Sequence, residues 1–353
     1  MKRAIFLAAL LLVCITTAAQ TLEKRVQICA HRGFWESEAA AKAQNSLASL
    51  KAAQDNMFWG SEFDVHLTSD GMVVVNHDPV YHLTDIQKHS YKQLSAKGTL
   101  PNGEALPTLD AYLEQGKASN SMLVLEFKKQ YSREHANRLQ DLCIQALKEK
   151  DLWDPSRVMF ISFDYEACKR MAQLAPGFTV QYLEADKAPA AVHKDGIGGI
   201  DYHYSAFRRH PEWVAEAHAL GMSVNAWTVD SRSDMEYLVG LGIDCITTNK
   251  PLELRALLGS REHYAQPTQA FIQAYLARQK PDPAGHTLRP DTLISRNSPY
   301  RSSKNFGKRI AVFGGSLSVN KESDAAKQIW ADLLGAEVVT YGVGGAAFLA
   351  NGF

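Results

Sequence analysis

The 353-residue sequence has no excess charge, since 38 lysines and arginines balance 38 aspartates and glutamates. A chain without net charge has no general electrostatic attraction for nucleic acid or for an anionic membrane, so local charges must determine its ligand. Cysteine is also scarce, and the five residues include no Cys-x-x-Cys pair and no Cys/His spacing typical of zinc. We therefore expect no nucleic-acid partner and buried thiols, with Cys29 and Cys245 the one pair to test as a disulfide.

Long hydrophobic runs are absent beyond the first 20 residues, MKRAIFLAALLLVCITTAAQ. There, Lys2 and Arg3 precede an apolar stretch and then small residues, which is the layout of a secretory signal peptide at 1–19 with cleavage after Ala19. The apolar stretch is too short for a transmembrane anchor, which needs about 20 residues. The sequence thus predicts an exported protein, periplasmic or secreted. Its mature chain has 36 basic and 38 acidic residues, a net charge of −2.

Short apolar runs alternate with helical patterns from residue 26 to about residue 260, and the 46% hydrophobic content is ample for a packed core. Strands that alternate with helices over this length predict a (β/α)₈ TIM barrel, typically about 250 residues long, over residues 20–260. A doubly wound open sheet is the alternative. The eight predicted strands are 26–31, 61–67, 122–128, 158–163, 179–184, 196–203, 222–229 and 243–248.

Several segments depart from this alternation. Residues 72–78, MVVVNHD, follow a TSDG turn and predict an extra hairpin strand beside the second strand. Residues 79–120 are polar and predict a long inserted loop, which is either a functional lid or a tolerated insertion. Residues 261–308 are rich in Pro, Ser and charge, which predicts a linker. A new strand and turn pattern begins at residue 309.

Acidic residues fall at alternating positions near the ends of two predicted strands. Because side chains alternate across a strand, Glu62 and Asp64 share one face, and Glu126 and Lys128 share a face of the third barrel strand. In a (β/α)₈ barrel the C-terminal strand ends form the rim on which active sites are built. The three carboxylates are therefore expected to converge. Their oxygens suit a hard divalent cation, Ca²⁺ or Mg²⁺, rather than zinc.

Basic residues accompany the carboxylates, with His31 and Arg32 at the end of the first strand and Lys128 at the end of the third. A divalent ion among Arg and Lys suits a phosphate ester, because the cations offset the charge that develops on its oxygens. His31 and His77 could transfer protons if the extra hairpin folds over the barrel mouth. Three other histidines have no evident partner and are assigned to the surface: His66, His82 and His89.

Seven ordered motifs resemble the glycerophosphodiester phosphodiesterase family over roughly residues 26–255. They are HRG at 31–33, QNS at 44–46, SEFDVHLTSDG at 61–71, VVVNHD at 73–78, LEFK at 125–128, WTVD at 227–230 and DCITTNKP at 244–251. The resemblance implies a (β/α)₈ barrel that hydrolyses glycerophosphodiesters to an alcohol and glycerol phosphate with a divalent cation.

The resemblance also implies a role for each matched residue. It gives metal ligands at Glu62, Asp64 and Glu126, an acid/base pair at His31 and His77, and phosphate contacts at Arg32 and Lys128. Which histidine is the acid stays open, as does the attacking group, which is either water or a substrate hydroxyl that forms a cyclic phosphate.

The chain departs from the family at one motif. The family usually has Pro-Glu-Asn where this chain has Ala43-Gln44-Asn45, so one charge in that loop is lost, which could weaken the metal or shift the substrate. Asn45 and Trp227 are candidates for the substrate pocket. Asn45 could instead cap the helix that begins near Ser46.

The final segment, residues 309–353, resembles the opening of an SGNH-type esterase domain, with Ser316 at the nucleophile position and a Gly-rich turn at Gly344–Gly345. Such an enzyme needs a downstream His, usually with an Asp, and this segment supplies neither in the family's place. We expect a truncated segment without activity, because about 45 residues cannot close a core of this kind. The alternatives to a catalytic barrel are a non-catalytic barrel that binds a sugar phosphate or glycan, and a longer bifunctional phosphodiesterase-esterase.

Overall fold

The computed structural model describes residues 25–263 and 265, together with three short strands further along the chain. Eight parallel strands form a ring in which each strand pairs with the next, and the first strand closes the ring by pairing with both the second and the eighth. The predicted (β/α)₈ barrel is confirmed. Its strands are β1 Val26–Ala30, β2 Gly60–Leu67, β3 Met122–Phe127, β4 Val158–Ser162, β5 Val180–Tyr182, β6 Gly199–His203, β7 Ser223–Trp227 and β8 Cys245–Thr248.

A helix follows each barrel strand. These helices are α1 Leu47–Asp55, α2 Leu109–Gly116, α3 Arg133–Glu149, α4 Tyr165–Leu174, α5 Pro189–Lys194, α6 Glu212–Ala219, α7 Arg232–Leu241 and α8 Pro251–Leu258, with an additional short helix at Tyr204–Arg209. Hydroxyl and carboxylate caps begin several of them: Ser46, Thr108, Ser132, Asp164 and Ser231 each accept a hydrogen bond from a backbone N–H in the first turn. None of the described helices is long and apolar enough to span a bilayer.

The predicted hairpin strand is present as Val73–Val75, which pairs antiparallel with the end of β2. The prediction of one long loop over 79–120 is wrong, because this stretch contains α2, the helix Tyr91–Ser95 and a two-stranded sheet of Val80–Tyr81 and Thr84–Asp85. Its polar residues obscured a small apolar cluster, which consists of Val74, Tyr81, Ile86, Leu94 and Leu106. The insertion therefore has a core of its own.

The barrel interior contains a second apolar cluster: Cys29, Val124, Met159, Ile161, Leu183 and Cys245. The four cysteines in the described range are free thiols and are buried, so Cys29 and Cys245 pack without a disulfide. A separate sheet is formed by Arg309–Gly314, Glu337–Gly342 and Phe348–Leu349. Residues 1–19, Ser316 and Gly344–Gly345 lie outside the described residues, so the signal peptide and the esterase-like segment stay predictions.

Candidate active site

Three carboxylates meet at the rim of the barrel. Glu62 and Asp64 lie on β2, and the strand register places Asp64 directly beside Glu126 on β3. One oxygen from each side chain lies within 4.8 Å of the others, and all three residues are buried. The structure thus brings together the carboxylates that strand alternation grouped on one face. Glu62 Oε1 receives no hydrogen bond from any residue in the described ranges.

The site holds more buried negative charge than its own cations neutralise. Burial, and then the charges of Asp64 and Glu126, raise the pKa of Glu62 well above its usual range. Burial, and then the charge of Asp64, likewise raise the pKa of Glu126. A buried carboxyl that resists ionisation becomes ionised readily when a further positive charge is close. The cluster therefore has the oxygen donors of a divalent-cation site, and it lacks enough positive charge to balance its carboxylates.

Lys128 is the cation closest to these carboxylates. Its Nζ lies 3.2 Å from Asp64 Oδ1 and 2.8 Å from Glu126 Oε1. Although burial opposes ionisation of both partners, the ammonium group of Lys128 helps to lower the pKa of Asp64, and Asp64 raises the pKa of Lys128. Both groups are therefore charged at neutral pH, and Lys128 is positioned at the edge of the cluster.

His31 is held in one tautomer. Asn249 Oδ1 lies 2.9 Å from His31 Nδ1 and accepts a second hydrogen bond from the indole Nε1 of Trp35, also at 2.9 Å. Because an indole N–H can only donate, the amide oxygen faces both groups and Nδ1 of His31 must carry its proton. Nε2 of His31 is left unprotonated, 3.9 Å from Glu62 Oε2. Burial and the neighbouring Arg32 lower the pKa of His31 to about 4, so the ring is neutral at neutral pH.

Asn249 is itself fixed by Asp230. The backbone N–H of Asn249 and its side-chain Nδ2 each donate to a different Asp230 oxygen, both at 2.8 Å. Sequence reasoning missed Trp35, Asp230 and Asn249 as site residues. A signal was present, since Asp230 and Asn249 belong to the WTVD and DCITTNKP motifs and follow the ends of β7 and β8, which lie on the same rim.

Arg32 and Gly33 form a tight turn after β1, with φ of 55° and 75°. The turn points the backbone N–H of Arg32 at Glu62 Oε2, at 2.8 Å. The guanidinium group donates from Nη1 to Gln44 Oε1 at 2.6 Å. Gln44, where the resemblance implies a glutamate, therefore orients Arg32. It does so as a neutral partner, so the positive charge of Arg32 is less compensated.

Asn45 contacts a carboxylate of the cluster directly. Its Nδ2 donates to Asp64 Oδ2 at 2.8 Å, and its Oδ1 accepts from the backbone N–H of Asp64 at 3.2 Å. The cap of α1 is Ser46, so Asn45 does not cap that helix. Asn45 adopts a φ of 56°, a left-handed conformation that Asn tolerates better than most residues. Its described contacts orient Asp64.

His77 follows the hairpin strand and is partly exposed, with Nδ1 at 2.7 Å from Asp78 Oδ1. Burial lowers the pKa of His77, whereas the charge of Asp64 raises it. The backbone N–H of Asn76, which precedes His77, donates to the main-chain oxygen of Asp64 at 3.0 Å, and this contact attaches the end of the hairpin to β2 beside the carboxylate cluster. The structure thus brings together the two histidines, two cations and three carboxylates that the sequence pointed to.

This geometry coincides with a known family. The sequence model of the Glycerophosphoryl diester phosphodiesterase family matches residues 31–253, which include every residue of the site. The chain belongs to this family. It is a phosphoric diester hydrolase, a glycerophosphodiester phosphodiesterase by family and by its named relatives.

This phosphodiesterase covers nearly the full length of the relatives that it matches. A crystal structure of a glycerophosphodiester phosphodiesterase from Parabacteroides distasonis has 39% sequence identity and a TM-score of 0.65, covering 68% of this chain and 99% of that one. The glycerophosphodiester phosphodiesterase of Caldanaerobacter subterraneus subsp. tengcongensis is 27% identical over 236 residues, 64% of this chain and 94% of the relative. An Oleispira antarctica phosphodiesterase, solved in complex with the product sn-glycerol-3-phosphate, has 25% identity and a TM-score of 0.57, covering 66% of this chain and 97% of that one.

The assignment of His66 to the surface of the phosphodiesterase is wrong. His66 is 1% exposed, and its Nε2 lies 3.2 Å from the main-chain oxygen of His77. It shares the face of β2 that carries Glu62 and Asp64, since the three residues alternate along the strand. The partner of His66 is 11 residues away in the hairpin, and a sequence pattern does not show such a contact. His82 is exposed and His89 is half-buried.

Aromatic residues line another part of the rim. Trp227, at the end of β7, donates from Nε1 to the main-chain oxygen of Asp201 at 3.0 Å. The rings of Phe163 and His203 each contact the indole edge-to-face, with centroids 5.3 Å apart. Lys128 Nζ lies 6.0 Å from the Phe163 ring centroid. The aromatic wall formed by Phe163, His203 and Trp227 is therefore adjacent to the cation of the carboxylate cluster.

Proposed function

We propose that the enzyme hydrolyses glycerophosphodiesters to an alcohol and glycerol phosphate, with a divalent cation, Ca²⁺ or Mg²⁺, bound by Glu62, Asp64 and Glu126. The observation that carries this proposal is the group of three buried carboxylates within 4.8 Å of one another, beside one lysine and one unprotonated imidazole nitrogen. Its substrate class is supported by the family and by the named relatives.

The carboxylate cluster fits such a cation in three ways. Its donors are all oxygen, the ligand that Ca²⁺ and Mg²⁺ prefer. Glu62 Oε1 is buried without a hydrogen-bond donor from the described residues, so it has a lone pair free for a ligand. Burial and mutual repulsion raise the pKa values of Glu62 and Glu126, a penalty that a bound dication would relieve. When bound, the ion would polarise a phosphoryl oxygen and favour attack at phosphorus.

Lys128 and Arg32 supply the remaining positive charge around the phosphate. Lys128 already contacts two carboxylates, and a phosphate oxygen placed at the cluster would meet its other N–H groups. Arg32 Nε is buried without a hydrogen-bond acceptor among the described residues, although it lies 4.0 Å from Asp64 Oδ2. A guanidinium with a free N–H donor is suited to a phosphate oxygen.

The two histidines move the protons. Nε2 of His31 accepts the proton of the attacking O–H group as the new P–O bond forms, because Asn249 keeps Nδ1 protonated. His77 gives its Nε2 proton to the departing alcohol oxygen as the old P–O bond breaks. Asp78, at Nδ1, stabilises the imidazolium form of His77 before that transfer. His31 is therefore assigned as the base and His77 as the acid.

The aromatic wall provides a surface for the part of the substrate beyond the phosphate. Because Lys128 lies beside Phe163, a diester with its phosphate at Lys128 would extend one arm along Phe163 and Trp227. Flat rings bury the carbon skeleton of such an arm, and Trp227 is fixed by its hydrogen bond to Asp201. Trp227 is thus part of the proposed substrate pocket, whereas Asn45 serves it indirectly through Asp64.

The test is turnover of glycerophosphocholine by the purified chain, with released glycerol phosphate as the readout. We expect hydrolysis that EDTA abolishes and that Ca²⁺ or Mg²⁺ restores, and a fall of about 10²–10⁴-fold in kcat for His31→Asn and for His77→Asn. A chain that binds glycerol phosphate but turns over none of a panel of diesters would instead be the non-catalytic barrel. Turnover unaffected by chelator would remove the cation from the proposal.

We also propose that the enzyme acts outside the cytoplasm, on the pattern of the first 19 residues. Fractionation of cells that produce the chain should recover it from the periplasm or the medium, with an N-terminus at Gln20. Full-length chain confined to the cytoplasm would contradict this.

A further inference from the structure

His66 is a buried histidine next to the catalytic groups that the proposed reaction does not use. Its Nε2 lies 3.2 Å from the main-chain oxygen of His77. A carbonyl oxygen can only accept, so Nε2 of His66 carries the proton and donates it. Nδ1 of His66 is buried and makes no hydrogen bond within the described part of the chain. The contact to His77 is therefore the one directional contact that the structure gives this ring.

The backbone of His77 lies beyond the end of the hairpin strand, which stops at Val75. Asn76 is tied to β2 by its N–H, which donates to the main-chain oxygen of Asp64 at 3.0 Å. Asp78 follows His77 in the chain and is exposed. Its contact with the His77 side chain therefore comes from a residue in solvent and not from the buried part of the barrel. The hydrogen bond from His66 thus joins residue 77 itself to the strand that carries Glu62 and Asp64.

We propose that His66 is a positioning residue that holds the imidazole of His77 over the carboxylate cluster through the main-chain oxygen of residue 77. This rests on the proposed role of His77 in proton transfer. His66 does not contact the substrate. It acts by fixing the backbone of residue 77, from which the imidazole of His77 extends. Small displacements of an acid/base group are costly, since a shift of about 1 Å can lower a rate by about 10²-fold.

The chain offers a matched control in His135. This residue on α3 is also buried, and its Nε2 lies 3.2 Å from the main-chain oxygen of Leu67, the last residue of β2. His135 and His66 therefore make the same kind of contact, from a ring nitrogen to a main-chain oxygen, and both contacts involve residues at the end of β2. Only the contact of His66 leads to a proposed catalytic residue.

The experiment compares four variants of the full chain: His66→Leu, His66→Asn, His66→Gln and His135→Leu. The amide nitrogen of Gln can reach the position of Nε2 and restore the donor, whereas the shorter Asn cannot. With glycerophosphocholine and saturating cation, we expect kcat to fall about 10- to 100-fold for Leu and Asn at position 66, with KM within about threefold. His66→Gln should recover most of kcat, and His135→Leu should lower Tm while keeping kcat.

A second measurement does not depend on activity. Hydrogen exchange of the peptide that covers residues 76–80 should become faster in His66→Leu and His66→Asn, but not in His66→Gln or His135→Leu. The inference is overturned if His66→Leu keeps the parent kcat and exchange, if Gln is as impaired as Leu, or if His135→Leu loses kcat equally. If His77→Asn is as active as the parent, the proposed function fails instead, and the exchange result alone then decides whether His66 fixes residue 77.

Discussion

Asn249 Oδ1 lies 2.9 Å from His31 Nδ1, although the two residues are 218 positions apart in the sequence. This contact keeps Nδ1 protonated and leaves Nε2 free, and it also favours the charged form of the ring. Replacing Asn249 by Ala should lower kcat about 10- to 100-fold. Without the Asn249 acceptor, the proton of the His31 ring can reside on either nitrogen, so Nε2 is no longer always the unprotonated one.

The same replacement should also change the pH dependence of kcat/KM, in a direction that the structure predicts. Loss of the Asn249 acceptor should move the pKa of His31 further below about 4, so the acid limb of kcat/KM should shift to lower pH while the plateau falls. Rates measured from about pH 3 to about pH 9 would check this. A shift of the limb to higher pH would contradict the assigned tautomer.

Glu62 carries the clearest prediction on cation binding. Glu62→Gln should abolish the rise in Tm that Ca²⁺ or Mg²⁺ gives the parent, because a neutral amide replaces a buried ligand charge. Without cation, the variant should be at least as stable as the parent, since the burial that raises the pKa of Glu62 no longer penalises it. Thermal melts with and without each ion measure both effects.

Glu38→Gln is the matched control for Glu62→Gln, because Glu38 is exposed in the loop that follows β1. It should leave the cation-dependent change in Tm intact. Equal loss in both variants would show that the ions act at the surface and not at the carboxylate cluster.

Gly33 tests the turn that carries Arg32. A Cβ at this position would lie 2.7 Å from the main-chain carbon of Ser49, and φ is 75°. Gly33→Ala should therefore destabilise the fold by roughly 2–5 kcal/mol, the sum of overpacking and an unfavourable backbone conformation. Denaturant unfolding gives the value.

Gly177→Ala separates the two causes at Gly33. Gly177 has a φ of 90°, but a Cβ there would meet no described atom within 4 Å. This variant should cost only about 1–2 kcal/mol, from backbone conformation alone. A cost equal to that of Gly33→Ala would mean that the contact with Ser49 relaxes freely.

Asp201 should make the protein less stable as the pH rises, whereas a carboxylate in an ion pair makes a protein more stable as the pH rises. Burial raises its pKa to about 8, against a hydrogen bond from Asn225 that lowers it. Between its ordinary value of 3.8 and about 8, the folded state binds a proton that the unfolded state has lost, so stability falls as pH rises through this window. Asp201→Asn should therefore leave Tm unchanged near the bottom of the window and raise it increasingly towards the top.

Asp195→Asn provides the comparison for Asp201→Asn, because Asp195 is exposed on the C-terminal side of α5. The Tm of this variant over the same pH range gives the baseline against which the change at Asp201 is measured. A pH-independent gain for Asp201→Asn would indicate a packing effect in place of the removed ionisation.

The barrel and its carboxylates could be predicted because their signals are local. Alternation along β2 puts Glu62 and Asp64 on one face, and the barrel rule brings the end of β3 beside them. The hydrogen bonds of His31 and His66 could not be predicted in this way. They depend on which carbonyl or amide group the closed ring and the hairpin bring near, and no sequence period encodes that distance.

The helix α2 was missed for a related reason. It has only 8 residues, and polar turns precede it, so composition alone favoured a loop. Its identity as a barrel helix is evident only from Tyr112 and Leu113, which are fully buried in the folded chain. Short amphipathic helices of this kind are defined by the surface against which they pack.

The groups proposed for bond cleavage, with Asn249 that orients His31, lie on or just after β1, β2, β3 and β8, whereas the aromatic wall lies on or just after β4, β6 and β7. The groups proposed for the reaction and those proposed for substrate recognition thus lie on opposite sides of the barrel rim. Evolution, or an engineer, could therefore exchange the loops after β4 and β6 to admit a different alcohol while the loop after β7 keeps Asp230, which fixes Asn249 beside His31.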